Sequence, residues 1–191
     1  MDRIDVMVDL ETLGTGACPP VFQLAAKAFN IETGEILNSI ELFCDISTSE
    51  SKPEEQTVMW WLNTNFKLFT QLLAKGVNGA KTEAQMIEEF ITWFNSLHEN
   101  PKKIFLWGNG INFDNRIIAE KCKQYGLTYP VFYRNDMDVR TILEMAALKM
   151  GFDGQIAYRK SMEFIGEAHN ADDDVLNQIK IVSKAYTDLI H

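Results

Sequence analysis

Two acids stand two residues apart at the end of an apolar run. Residues 7–16 read MVDLETLGTG, and Asp9 and Glu11 follow Ile4, Val6 and Val8. Side chains alternate along a strand, so both carboxylates aim at one spot. Two like charges repel unless a proton or a cation lies between them. Acids recur at two further places. Asp114 opens a helix-like segment after the apolar run IFLW, and HNADDD at 169–174 opens the last one.

Each acid has a plain structural role open to it. Asp9 and Glu11 can face solvent at a strand end. Asp114 can cap a helix or favour its N-terminal dipole. Asn170 can cap the last helix, with Asp173 three positions on as in a capping box. That leaves Asp172 and Asp173 as helix-start acids. Asp174 differs, because it falls at about the fifth helical position, where the dipole has faded. It also borders the stripe Val175, Ile179, Val182 and Tyr186. It should lean towards a sheet, and the preceding loop can set His169 beside it. Asp9, Glu11, Asp114, Asp174 and His169 then form one group. Hard oxygen donors without cysteine suit magnesium or manganese. Two such ions about 4 Å apart stabilise the attacking and leaving oxygens of a phosphoryl displacement. Asp9 would bridge them, the other acids would each hold one side, and His169 would take the proton of the attacking water.

The elements that must position these residues follow from pattern. Residues 3–10, 21–30 and 36–44 read as strands, the last two joined across IETGE as a hairpin. Residues 45–53 read as loop. Residues 54–69 are helical but broken, and Gly76 and Gly79 mark another loop. Thr82 starts a helix with Ile87, Phe90, Ile91 and Phe94 at helical spacing. IFLW at 104–107 reads as a buried strand, followed by a helix that Gly126 stops. VFYR near residue 131 reads as a further short strand. A helix ends at Gly151, residues 152–168 look irregular, and the last helix runs from Ala171 to about Leu189. A meander followed by alternating strands and helices predicts an α/β fold, a mixed sheet covered by helices.

Composition sets the bounds. The 191 residues, 46% hydrophobic and 24% charged, predict one globular domain over 1–191. No apolar run approaches the roughly 18 residues of a membrane span, and no secretory signal is visible. Cys18, Cys44 and Cys122 are too scattered for a metal motif or a disulfide framework, so a cytoplasmic setting is expected. Eighteen basic and 27 acidic residues leave a net charge of -9, which argues against coating long nucleic acid.

Three stretches, VDLET at 8–12, NFD at 112–114 and HNADDD at 169–174, resemble the motifs of the DEDDh exonucleases, in order and with the same step from His169 to Asp174. These are RNase H-like 3′-to-5′ exonucleases and include proofreading subunits, RNase T and oligoribonuclease. TVMWWL at 57–62, LWGNGINFDN at 106–115 and NDMDVRTI at 135–142 resemble a narrower group. It holds phage-encoded exonucleases, a mycobacterial 3′-to-5′ exoribonuclease and exodeoxyribonuclease VIII-like bacterial proteins. The resemblance implies an RNase H-like five-stranded mixed sheet and a bacterial or phage-infected cell. It implies Asp9, Glu11, Asp114 and Asp174 as ligands of two Mg²⁺ or Mn²⁺ ions, with His169 as general base. The expected substrate is the 3′ end of single-stranded RNA or DNA, released as nucleoside monophosphates. A non-cutting RNase H-like binding module is the alternative.

Substrate contacts are read from the neighbouring residues. Trp60 and Trp61 point about 100° apart on a helix, so either both pack in the core or one does and the other faces the site as a stacking platform or wedge. A stacked base contributes roughly 1–3 kcal/mol. Leu13 is a second candidate to press on the terminal base. By resemblance Thr12 lies near the terminal 3′-hydroxyl. Asn109 and Phe113 are expected at the pocket floor. Arg116, Arg134, Arg140, Arg159 and Lys160 are candidates to meet phosphates, with Arg140 the more inclined to pair with an acid. Relatives that pair imply a homodimer.

Overall fold

In the computed structural model, which describes residues 3–191, the centre of the fold is strand β1 (Ile4–Thr12). It pairs antiparallel with β2 (Val21–Phe29), which pairs antiparallel with β3 (Ile36–Phe43). On its other side β1 runs parallel to β4 (Ile104–Gly108), and β4 runs parallel to β5 (Asp136–Asp138). The sheet order is β3-β2-β1-β4-β5. This is the five-stranded mixed sheet expected. β1 continues two residues past its expected end, which carries Glu11 and Thr12 into the sheet opposite β2.

Period two sorts the faces of β1. Val6, Val8 and Leu10 pack on α3 (Glu83–Ser96) and α4 (Asp114–Gln124) through Met86, Phe90, Ile117 and Ile118. Met7 points the other way. It packs with Leu143 of α5 (Val139–Met150) and with Val175, Ile179 and Val182 of α7 (Ala171–Ile190). Asp9 and Glu11 share the Met7 face and so meet the start of α7. A third cluster joins Leu13 and Phe22 to α1 (Glu55–Thr64) and α2 (Phe66–Gly79) through Trp61, Leu68, Phe69 and Leu72. Among the described residues no helix is long and apolar enough to cross a membrane.

Several local expectations are corrected. Residues 131–134 are not a strand; the fifth strand is Asp136–Asp138. Its aspartate-rich sequence carries little strand propensity, and contacts hold it instead: Asp136 accepts from Asn115 Nδ2 at 2.8 Å and Tyr129 Oη at 2.7 Å. Gly76 does not end a helix. It lies inside α2 where the helix crosses the chain at Cys44, and a Cβ there would stand 2.0 Å from the Cys44 carbonyl oxygen. The segment 152–168 contains a short helix, α6 (Gly154–Lys160). The break expected somewhere within residues 54–69 falls at Asn65, between α1 and α2.

Candidate active site

The carboxylates arrive from three places. Asp9 and Glu11 come from the end of β1, Asp114 from the first residue of α4 and Asp174 from the first turn of α7. The local chemistry fixes each. Gly108 ends β4, and a Cβ there would lie 2.2 Å from Asn115 Oδ1, so only glycine lets α4 start so close to the strand. Asn115 then ties α4 to the sheet through Leu106 O at 3.1 Å. At α7, Gln23 of β2 grips the helix start: its Nε2 donates to Asn170 Oδ1 at 3.1 Å, and its Oε1 accepts from Ala171 N at 3.3 Å.

Asp174 is the fourth helical residue, one earlier than expected, and still within the first turn. The capping box does not form with Asp173. Asn170 caps through Asp172 N, while Asp173 Oδ2 accepts from Glu167 N at 2.9 Å and steadies the loop before the helix. Asp172 pairs with the buried Lys27 ammonium. That contact turns Asp172 away from a ligand role.

Ligand atoms of Glu11, His169 and Asp174 all lie within 4.8 Å of one another. His169 is exposed and takes a left-handed backbone, φ 67°. Its N–H donates to Asp174 Oδ2 at 2.9 Å. Trp60 stands edge-on to its ring at 4.8 Å between centroids, and Trp61 at 6.2 Å.

Burial raises the hold of all four carboxylates on protons, and neighbouring carboxylates add to it at Asp9 and Glu11. Burial, then Asp114, Glu11 and Asp174, push Asp9 well above the usual carboxylate range. Burial, then Asp174 and Asp114, push Glu11 up to about 9. Burial pushes Asp114 up to about 7, against the pull of the backbone N–H groups of Asn109, Asp114 and Leu10. Burial raises Asp174, while the backbone N–H of His169 lowers it. Such a cluster binds protons or cations. The donors are oxygen with one imidazole and no thiol, which fits a hard divalent ion.

The cluster lies in a cavity of about 670 Å³. Thr12, Asn109, Phe113, Trp60 and Trp61 line it with the acids and His169. Trp61 is 2% exposed and donates Nε1 to Thr12 O at 3.1 Å, whereas Trp60 is 39% exposed. Leu13 is buried with Phe22 and Trp61 in the third cluster and does not reach the cavity lining. Arg140 and Arg159 line the cavity; Arg116, Arg134 and Lys160 do not. Burial and the neighbouring Arg140 lower the proton affinity of Arg159, whose Nη2 donates to Asn109 Oδ1 at 2.9 Å. Asn109 N in turn donates to Asp114 Oδ2 at 3.2 Å.

Sequence reasoning missed two residues at this site. Glu54, just before α1, accepts from Thr15 N at 3.0 Å and Gly16 N at 2.9 Å, and so holds the loop that follows β1. Gln178 donates Nε2 to Asp9 Oδ1 at 2.7 Å. Only its spacing of four from Asp174, one turn along the same helix face, could have signalled it.

Residues 4–186 match the family described as the 3′-5′ exoribonuclease Rv2179c-like domain. The chain belongs to that family. No curated protein sequence matches it. Among solved structures, it is similar to cell-death related nuclease 4 (CRN-4), with a TM-score of 0.73 and 20% identity over 97% of this chain and 64% of that one. The nuclease domain of 3′hExo, a DEDDh family member bound to rAMP, gives 0.63 and 17% over 97% and 92%. E. coli exonuclease I in complex with a dT13 oligonucleotide gives 0.71 and 17% over 97% and 41%. This chain thus spans under two thirds of CRN-4 and of exonuclease I. At these identities the likeness establishes the RNase H-like fold.

Proposed function

We propose that the chain hydrolyses single-stranded nucleic acid from its 3′ end in a metal-dependent reaction that releases nucleoside monophosphates. The observation that carries this is the convergence of Asp9, Glu11, Asp114 and Asp174 from three separate elements, beside His169, on one cavity wall. Those carboxylates would hold two divalent ions, Mg²⁺ or Mn²⁺. When bound, such ions supply charge for the attacking water and the leaving oxygen. His169 takes the proton of that water, and Asp174 fixes the histidine through its backbone N–H.

Trp60, partly exposed on the cavity lining, stacks on the terminal base, while the buried Trp61 supports it through a T-shaped contact. Thr12 supports the sugar, and Asn109 and Phe113 shape the wall opposite. Arg140 and Arg159, side by side and both on the lining, meet the phosphates. The chain acts as one domain. The test is to incubate it with matched 5′-labelled single-stranded RNA and DNA, with Mg²⁺ or Mn²⁺, and to resolve the products over time. RNA comes first because the family is described as exoribonuclease. The expected result is a ladder shortening from the 3′ end and abolished by EDTA. No shortening of either strand overturns the proposal in favour of a non-cutting binding module.

A further inference from the structure

Gln178 lies one helical turn beyond Asp174 on α7, 4% exposed, on the cavity lining. Its two amide ends are treated differently. Nε2 donates to Asp9 Oδ1 at 2.7 Å. Oε1 is buried and meets no protein donor among the described residues. Rotating the amide cannot repair this, because it would set the carbonyl oxygen against a carboxylate. An amide whose task was only to tie α7 to β1 would satisfy both ends, and Val175, Ile179 and Val182 already make that tie. Buried polar atoms without partners are rare and costly.

We propose that Gln178 is a positioning residue for Asp9. Its N–H occupies one side of Oδ1 and fixes the rotation of the carboxylate, so that the remaining lone pairs face the cavity. Its carbonyl end is left for a donor that enters with the metal. This rests on the metal-dependent reading above. Residues that orient a ligand in this way lower metal affinity roughly 10–100-fold when lost.

The test uses Gln178→Met, of similar length with neither donor nor acceptor, and Gln178→Asn, which keeps the amide but falls short. Mn²⁺ binding is titrated by electron paramagnetic resonance, and melting is followed in EDTA. The expected result separates the two readouts. Mn²⁺ affinity falls about 10–100-fold in both variants, while the metal-free melting temperature of Gln178→Met holds or rises, because an orphaned acceptor has gone. Unchanged Mn²⁺ affinity overturns the proposal, and a lowered metal-free melting temperature with that affinity intact assigns Gln178 to the framework alone. If the unsubstituted chain binds no Mn²⁺, the metal reading itself fails and this inference falls with it.

Discussion

His169, the proposed general base, stands on a left-handed backbone. A left-handed backbone costs a non-glycine residue on the order of 1–3 kcal/mol, and such strain gathers at functional sites. Its backbone N–H on Asp174 holds the main chain, and the T-shaped contact with Trp60 packs against the ring. His169→Ala should therefore lower hydrolysis about 10²–10⁴-fold, with Mn²⁺ and oligonucleotide binding nearly intact. Asp174→Asn should weaken Mn²⁺ binding as well. Calorimetric titration of both variants checks this, and equal metal loss in the two would refute the division of roles. The carboxylates make a second prediction. Glu11 sits at about 9 and Asp114 at about 7, with Asp9 also raised. Unfolded, they titrate near 4, roughly the usual carboxylate value. Across the interval between, the native state holds more protons than the unfolded one, so stability is lost as pH rises. Melting temperature in EDTA should fall from about pH 5 to pH 9, and Mn²⁺ should flatten the fall. A flat EDTA profile would mean that the acids do not share one site.

The elements show where reading a sequence succeeds and where it stops. The acids of β1 were legible because period two sends Asp9 and Glu11 to one face, and the register keeps that promise. Asp174 was legible because it borders a helical stripe. Strand β5 was not, because three residues with two aspartates carry no strand pattern and only tertiary contacts hold them. Gln178 left only a faint trace, its spacing of four from Asp174, because glutamine suits any exposed helix face and only the folded chain brings it to Asp9. The two glycines of α2 were read alike as breakers, yet they differ. Gly76→Ala must push the Cys44 carbonyl away, and should cost about 1–3 kcal/mol despite the better helix propensity of alanine. Gly79→Ala meets nothing within 4 Å and should be neutral or stabilising by up to about 1 kcal/mol. Urea unfolding of the pair checks this; equal effects would refute the close crossing at Cys44.

The whole molecule carries a charge of -9, so a polyanionic substrate meets repulsion everywhere except where cations gather. Arg140, Arg159 and Lys180 are the basic side chains on the cavity lining. For a single strand, neutralising three phosphates gives a slope of log affinity against log salt of about -2.1. Anisotropy of His169→Ala with a labelled oligonucleotide, at fixed Mn²⁺ and varied KCl, measures it. A slope steeper than about -4 would require a basic track supplied from elsewhere, such as a second copy. The order in which the chain is made adds a last consequence. Asp9 and Glu11 are synthesised early, whereas His169 and Asp174 come with α7, after every strand of the sheet. A growing chain on the ribosome then has three of the five cluster residues and lacks the histidine proposed as base. On the proposed reading, hydrolysis of any nearby strand waits until α7 has emerged and docked.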